Sequence, residues 1–478
     1  MNKTTKQSAL NAHSWAGVFL SFLLFMVCVS GTLAVFHQEF ERWEQPGIPE
    51  MTDIDANTVD NAMAAFRAQH PQSTDHEFVV FPTSGIPRLV VENDDIAYFA
   101  DTDGQLLETE RSPFTKMLID LHLYLNLPHS WGMILVSALG AIICTLVVTG
   151  IVAHKRIKKD AFVLRRKGNR QQYKIDLHNR FGLWAAPFHL IIGVTGAYFG
   201  MAGLIVVLVS QLYFDGDRDA AVAKIFTPDP ELAQEVVTPE IGKAIAQMDS
   251  LAPEHELIFL TVHERGSPQQ FIEIYAKAPR KMIYSENYRF DSQGEFLGTA
   301  GYQGGHWGKQ LVYSMYRLHF GDFAGVPSKL LYFVLGIMLT VLCVSGMEIW
   351  LAKKANPPRL TRIWYAMVWG SISSLAITAA VSLVSEESLI AVFWALMLVN
   401  LVVSVAVERC GQSFWFTVAG VSVLAMLIVY LSVHGADSLS VAALQLNVPM
   451  FLFALWALRR AFTLRQFSAS RHFQTQQG

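Results

Sequence analysis

Long stretches without charged residues divide this sequence and predict membrane-spanning helices. Eight segments lack Asp, Glu, Lys and Arg and are rich in Leu, Val, Ile, Phe and Ala: residues 7–38, 121–154, 181–214, 330–347, 363–385, 388–407, 410–436 and 438–458. A spanning helix needs about 20 apolar residues, because the hydrocarbon layer is roughly 30 Å thick and each helical residue rises about 1.5 Å. The pattern therefore predicts a mainly α-helical, polytopic membrane protein with eight transmembrane (TM) helices.

The polar sequence between these segments predicts the domain organisation. The expected order is TM helix 1 at residues 9–38, an outer module at 44–111, TM helix 2 at 127–154, a basic loop at 155–175, TM helix 3 at 178–212, a second outer module at 215–300, TM helix 4 at 328–352, a four-helix extension at 363–461 and a tail at 462–478. The first apolar segment is too long for a cleaved signal peptide, so we expect it to be retained.

The charges of the loops predict the orientation in the membrane. The loop at residues 155–174 has nine basic residues and one acid, and residues 353–362 have four basic residues and no acid. Lys and Arg concentrate in cytoplasmic loops. Residues 39–111, in contrast, carry sixteen acids and four bases, and residues 215–300 carry fifteen and eight. We therefore expect a bacterial inner-membrane protein with both termini in the cytoplasm and both outer modules in the periplasm.

Composition excludes several classes of function. The 478 residues are 52% hydrophobic and only 16% charged, against roughly 25% charged in an ordinary soluble domain. This excludes a disordered or nucleic-acid-binding chain. The four cysteines form no CxxC or CxxCH motif and no disulfide framework. The sequence also lacks GxGxxG, Walker and HExxH motifs, so we expect no nucleotide or flavin site.

Two parts of the chain repeat each other. The matched positions are His13 and His178, Ser30-Gly31 and Thr195-Gly196, His122 and His319, and Thr149-Gly150 and Ser345-Gly346. The first two of these matches share an offset of 165 residues. The unit of helix, outer module and helix therefore occurs twice in parallel orientation, and the last four helices lie outside the repeat.

Both outer modules show a helix followed by strands. The first has a helix at residues 59–69, strands at 77–81, 88–92, 96–100 and 105–108, and a turn at 101–104. The second has a helix near residues 239–248, strands near 256–263 and 270–276, and a turn at 291–294. Alternating apolar residues predict the strands, and Gly at the end of each turn suits positive φ. We expect two small α+β modules.

These features together resemble PepSY-associated transmembrane proteins. The duplicated helix with His-x-x-x-Gly and Ser/Thr-Gly, the Asp-x-x-Gly turn of the outer module and the following Leu-His carry the resemblance over residues 9–354. Some members of that family are iron-regulated inner-membrane proteins, and others are ferrisiderophore reductases that hold two b-type haems. The resemblance implies PepSY-like outer modules, two haem b groups and a role in iron uptake.

Four matched histidines are the main candidate haem ligands. His13 and His178 begin their helices on the cytoplasmic side, and His122 and His319 precede the next helices on the outer side. Polar side chains at membrane depth are costly and usually functional. Two neutral imidazoles per iron leave no open site, which favours electron transfer. The alternative is that a His at a helix end only caps the helix or reaches toward water.

His189 is a further candidate ligand or relay. It lies eleven residues after His178, which in one continuous helix is about 16.5 Å along the axis and about 20° around it. The repeat has Leu24 at the matched position. His189 therefore has no counterpart that would supply a second ligand.

Three functions remain open from the sequence. The leading hypothesis is a haem-containing electron-transfer protein that reduces a ferric siderophore or other ferric chelate at the periplasmic face, with electrons from a quinol or a separate reductase. The alternatives are a scaffold whose outer modules bind a partner, and a transporter that uses residues 363–461, where Asn400 and Asn447 are notable polar residues. Because the outer modules are acidic, we expect a neutral or cationic chelate, or docking on the aromatic segment at residues 302–316.

Overall fold

A computed structural model describes residues 3–476, apart from residue 73, residues 155–161, 163–164 and 166–169, residues 302–306, residues 355–357 and residue 386. The chain is mainly helical and contains an antiparallel β-sheet. It divides into two compact units. The helical unit comprises residues 1–47, 112–200 and 330–478, and the outer unit comprises residues 48–111 and 201–329.

The helices are α1 (Lys3–Phe19), α2 (Ser21–Ala34), α3 (His37–Glu44), α4 (Ala56–Gln69), α5 (Pro113–Tyr124), α6 (His129–Ala153), α7 (Arg170–Trp184), α8 (Ala186–Tyr213), α9 (Arg218–Ala223), α10 (Ile241–Leu251), α11 (Trp307–Phe320), α12 (Val326–Leu351), α13 (Pro358–Ser382), α14 (Leu389–Ala406), α15 (Gln412–His434) and α16 (Val441–Gln476). The strands are β1 (Glu77–Val80), β2 (Leu89–Asn93), β3 (Ala97–Ala100), β4 (Leu106–Thr109), β5 (Glu256–His263), β6 (Phe271–Lys277), β7 (Glu286–Phe290) and β8 (Phe296–Thr299).

The candidate spans confirm the predicted class of membrane protein. Within the described residues, seven segments are long and apolar enough to cross a membrane, and α1 with α2 forms an eighth if this pair, bent by 71°, is one span. The first predicted helix is therefore broken, at Leu20. The second apolar stretch is divided between α5 and α6, because Leu125 and Asn126 adopt positive φ. TM helix 3 is likewise divided at Ala185 between α7 and α8.

The C-terminal helices pack against the first repeat through α3. The Trp43 ring is fully buried and stacks on Tyr430 of α15, with ring centroids 4.5 Å apart. Trp43 Nε1 donates to Asn447 Oδ1 of α16 at 2.9 Å, and the Tyr430 hydroxyl donates to the Trp43 carbonyl at 2.8 Å. Buried aromatic rings prefer positions where their polar atoms find partners. Residues 363–461 are thus part of the same packed unit as the repeat.

The strands of the two predicted outer modules form one eight-stranded sheet. The strand order is β4-β3-β2-β1-β5-β6-β7-β8, with antiparallel neighbours. Strands β1 and β5 join the modules, and Val79 pairs with Leu260 at the centre. Both residues are fully buried. Each module alone would expose an edge strand, and joining β1 to β5 satisfies those backbone groups and extends the apolar face.

Helices α4 and α10 pack on one face of this sheet and close a common core. Val59 and Phe66 of α4 and Ile241 and Met248 of α10 lie in the same buried cluster. The helices also meet through a hydrogen bond, in which the Gly242 amide donates to Asp60 Oδ1 at 2.8 Å. The second module contains two strands that the hydrophobic pattern did not identify, β7 and β8, because β7 is buried along its whole length and its residues do not alternate.

A carboxylate and three polar side chains form a buried cluster in the outer unit. Glu273 Oε1 accepts from Arg289 Nε at 2.8 Å, Oε2 accepts from the Tyr275 hydroxyl at 2.7 Å, and His263 Nε2 lies 3.3 Å from Oε2. Burial alone would raise the pKa of Glu273, but these neighbours outweigh burial and hold the pKa at about 2. The depressed pKa stabilises the fold above about pH 4, and this contribution is lost as pH falls toward 2.

A second buried carboxylate links the two modules. Glu77 of β1 is 2% exposed and pairs with Arg67 of α4 at 2.7 Å and with Arg265 of the β5–β6 loop at 2.8 Å. We predict that Glu77→Ala destabilises the outer unit by about 3–5 kcal/mol, because it leaves two partly buried guanidinium groups without their counter-ion. Thermal unfolding of the full-length protein, monitored by protease cleavage of the outer unit, measures this.

Glu295→Ala provides the control for this prediction. Glu295 pairs with Lys243 on the surface, where both side chains are about half exposed or more. Surface pairs contribute little to stability because water screens them. Equal melting of the two variants would show that the Glu77 cluster does not hold the modules together.

Candidate haem-ligand histidines

His13 lies in the middle part of α1, and its imidazole faces α6. Nδ1 is 2.9 Å from the Leu146 carbonyl and 3.4 Å from Thr149 Oγ1. A carbonyl oxygen only accepts hydrogen bonds, so Nδ1 carries the proton. The other ring nitrogen, Nε2, then keeps its lone pair, which is the form of imidazole that binds a metal.

His178 of α7 has the matching environment in the second repeat. Nδ1 lies 2.9 Å from Ser345 Oγ of α12, and that hydroxyl lies 3.3 Å from the Leu342 carbonyl to which it donates. While the hydroxyl donates to Leu342 it can accept from Nδ1–H, and in that tautomer His178 Nε2 keeps its lone pair. A hydrogen bond of this kind fixes the tautomer and orientation of a metal-ligating histidine.

The structure brings these two imidazoles together. The ring centroids of His13 and His178 are 6.2 Å apart, and the ring planes are nearly perpendicular, at 88°. A metal–imidazole bond is roughly 2 Å long and the ring radius is roughly 1 Å, so two imidazoles that hold one metal ion from opposite sides would have centroids about 6 Å apart. The spacing of His13 and His178 would therefore allow both to hold one iron.

Glycines of the neighbouring helices make room for the histidine rings. A Cβ at Gly150 would lie 3.2 Å from Cε1 of His13, and one at Gly346 would lie 3.3 Å from Cε1 of His178. These glycines directly follow Thr149 and Ser345, whose hydroxyl groups contact the same rings. Thr149-Gly150 of α6 and Ser345-Gly346 of α12 thus each supply a hydroxyl group and space for a histidine ring.

His122 shows the same arrangement on α5. Its Nδ1 lies 3.0 Å from the Val27 carbonyl of α2, so this nitrogen donates. A Cβ at Gly31 of α2 would overlap the His122 ring. The predicted partner, His319, lies on α11 in the outer unit. The pairing of His122 with His319 stays a prediction.

His189 is completely buried on α8. Neither Nδ1 nor Nε2 has a hydrogen-bond partner among the described residues, and the ring lies 5.9 Å from that of Phe188. The chain breaks at Ala185 between His178 and His189, so the relation predicted for one continuous helix does not apply directly. Buried polar groups are nearly always hydrogen-bonded. The unpaired imidazole is therefore a position where another group would find a ligand or a hydrogen-bond partner.

The polar residues considered for transport have structural partners. Asn400 Nδ2 donates to the Gly370 carbonyl at 3.0 Å and to Ser374 Oγ at 3.1 Å, which joins α14 to α13. Asn447 joins α16 to Trp43. Side-chain hydrogen bonds of this kind hold membrane helices together. Glu348 of α12 forms an ion pair with Lys174 of α7.

Sequence reasoning identified the histidines but not the groups that orient them. The Leu146 carbonyl has no sequence signal, because any residue supplies a carbonyl. Thr149 and Ser345 were visible as part of the repeat, and the available signal was that each precedes a glycine near the end of its apolar segment. In the aromatic segment, residues 302–306, with His306, lie outside the described residues, and the described part belongs to α11.

The region that contains the repeat matches a known family. Residues 10–353 match the model of the PepSY-associated TM region, and the match ends before α13. The chain is also 26% identical over 293 residues to an uncharacterized protein of Pseudomonas aeruginosa, and this similarity covers 58% of the chain and 73% of that protein. Since the family match covers most of the chain, this membrane protein belongs to the PepSY-associated TM region family.

Proposed function

We propose that this protein is a haem-containing electron-transfer protein of the bacterial inner membrane, which reduces a ferric siderophore or another ferric chelate at the periplasmic face during iron uptake. The single observation that carries the proposal is the His13–His178 pair. The ring centroids are 6.2 Å apart, and the Nδ1 atoms contact Leu146 of α6 and Ser345 of α12, respectively.

A porphyrin-bound iron fits this pair better than a bare metal ion. A metal ion held by protein alone takes three or four side-chain ligands. No group of three or more His, Cys, Asp or Glu side chains suitable for a metal lies together in the described parts of the chain. Haem iron needs only two protein ligands, because the porphyrin supplies the others. A pair of imidazoles with glycines against them is the donor set that haem requires.

The protein residues would bind and orient the group. His13 and His178 would hold one haem b, and His122 with His319 would hold a second. Leu146 and Ser345 contact Nδ1 of His13 and His178 and would orient the two rings. Bound haem supplies one-electron transfer between the ferrous and ferric states of its iron.

Electron supply and orientation complete the proposal. The reductant would be a quinol in the bilayer or a separate reductase, since the sequence lacks nucleotide-binding motifs. The charge of the loops supports cytoplasmic termini and a periplasmic outer unit. A scaffold function remains the alternative, because the continuous sheet of the outer unit offers two terminal strands, β4 and β8, to a partner. That function requires no cofactor.

We predict that the purified protein carries b-type haem with a low-spin, bis-histidine visible spectrum. His13→Ala and His178→Ala should each remove the same haem, about half of the total, because two axial ligands hold one iron. Haem content per protein, measured by the pyridine haemochrome method, tests this. His37→Ala is the control: His37 Nδ1 also contacts a backbone carbonyl, that of Ala34, but the ring is not in the pair. Full haem content in both pair variants would refute the ligand assignment, and a colourless protein would favour the scaffold.

We also predict that His189→Leu alters the haem spectrum or haem occupancy. Both ring nitrogens of His189 are buried without partners, which costs on the order of 1–3 kcal/mol unless another group satisfies them. Leu24 occupies the matched repeat position, so leucine is an appropriate replacement. If His189 has no such role, the variant keeps the wild-type spectrum and melts at a higher temperature, because an unpaired polar group has been replaced by an apolar one.

A further prediction concerns the side of the membrane on which the ferric chelate is reduced. In sealed right-side-out vesicles, reduced protein should be reoxidised by a membrane-impermeant ferric siderophore added outside, because the outer unit is the large polar part of the chain. Absorbance of the reduced haem measures the rate. Inside-out vesicles are the control and should react only after permeabilisation. Reoxidation only by chelate supplied on the cytoplasmic side would contradict the proposed direction.

A further inference from the structure

A basic cavity lies in the outer unit, apart from the histidines. Its volume is about 400 Å³, and its walls include Lys277, Arg280, Lys281 and Arg317 but only two acids, Glu254 and Glu256. The cavity is large enough for a small molecule, since ligand pockets usually measure about 300–1,000 Å³. The cavity has an excess of positive charge, whereas the second module as a whole is net negative, with fifteen acids and eight bases.

Arg317 of α11 is a buried residue in the wall of this cavity. It is 3% exposed, and its Nη1 donates to the Lys281 carbonyl at 2.6 Å and to the Ile283 carbonyl at 3.4 Å. Its Nε forms an ion pair with Asp322 Oδ1 at 3.5 Å, and neither atom has a hydrogen-bond partner within the described residues. A guanidinium group has five donors. A buried guanidinium with unused donor capacity beside a cavity favours a ligand that brings acceptor oxygens.

The β6–β7 loop supplies the exposed cations. Arg280 follows Pro279 and adopts φ +58°, a conformation that glycine would adopt at lower cost. Lys281 is exposed beside it. Lys277 is 3.6 Å from Glu256, so the carboxylate compensates this cation in part. Asp322 likewise compensates Arg317 in part. The remaining positive charge of the cavity comes mainly from Arg280 and Lys281. Arginine and lysine side chains converging from a loop and a helix suit a carboxylate or phosphate.

We propose that this cavity binds the oxyanion groups of a small polycarboxylate and, resting on the proposed function, holds the anionic part of a ferric chelate. The position of Arg317, two residues before the candidate ligand His319, supports this link. The acid count of the whole module predicted a neutral or cationic substrate. The cavity is a local exception, because the fold gathers cations that are distant in sequence, at positions 280 and 317, onto one wall.

The binding experiment uses citrate as the probe. Isothermal titration of citrate into the full-length protein in a neutral detergent should show saturable binding that weakens as salt increases, because ionic attraction is screened. Arg280→Gly and Lys281→Ala should each weaken binding about fivefold, the effect of about 1 kcal/mol for one charge at close range in water. Glycine suits the positive φ of position 280, so Arg280→Gly removes the charge without straining the loop.

Lys243→Ala is the matched control. Lys243 is an exposed cation of the same unit, on α10, and does not line the cavity. It should leave citrate binding unchanged. No binding of citrate, or equal weakening by all three variants, would overturn the inference. An anionic lipid headgroup offers the same oxyanion chemistry. If citrate fails to bind and the cavity variants instead reduce binding to vesicles with phosphatidylglycerol over phosphatidylcholine, the ligand is lipid and the polycarboxylate assignment is wrong.

A second measurement separates this inference from the proposed function. Reoxidation of the reduced protein is followed with ferric citrate, which is anionic, and with a neutral ferric hydroxamate. We expect Arg280→Gly and Lys281→Ala to slow only the reaction with ferric citrate, about fivefold each. Reoxidation at wild-type rates with both chelates would contradict chelate binding in the cavity and leave the proposed function unaffected. Normal citrate binding by a protein without haem would overturn the function while the cavity stands as an oxyanion site.

Discussion

The contact between a histidine and the glycine of a neighbouring helix organises the helical unit. His13 against Gly150, His178 against Gly346 and His122 against Gly31 all depend on the missing side chain. In each case the imidazole Nδ1 is hydrogen-bonded to the neighbouring helix. In a membrane, close approach and interhelical hydrogen bonds drive association, because lipid is as apolar as the helices. The same histidine–glycine contact therefore packs the helices together and orients the imidazole ring.

The duplication acts differently in the two units. In the helical unit it brings two equivalent side chains together, because the ring centroids of His13 and His178 are 6.2 Å apart. In the outer unit it joins two equivalent edges, β1 and β5, into one sheet. Both outcomes are typical of a repeat related by an approximate two-fold axis, because equivalent positions meet at the axis. The buried Glu77, held by Arg67 of one copy and Arg265 of the other, belongs to the same junction.

Buried polar side chains occur in both the repeat and the C-terminal extension. In the extension, Asn400 and Asn447 are hydrogen-bonded to neighbouring helices and to Trp43. In the repeat, His189 is buried with no partner among the described residues. Satisfied polar groups stabilise packing, and an unsatisfied one costs free energy that packing alone does not return. Among the described residues of the extension, the indole nitrogens of Trp364, Trp369 and Trp415 are likewise buried without a hydrogen-bond partner, so an unpaired polar atom does not by itself distinguish the repeat from the extension.

The sequence by itself determined the class of protein, the spans and the repeat, because apolar length and matched spacing are properties of the chain alone. It also determined His13 and His178 as a matched pair. Only the tertiary structure decided that their rings meet, that Leu146 and Ser345 contact their Nδ1 atoms, and that the two modules form one sheet. It also decided that cations gather around Arg317, because charge averaged over a module does not reveal which residues share a wall. Such contacts depend on residues far apart in the chain, and no local pattern encodes the distance between them.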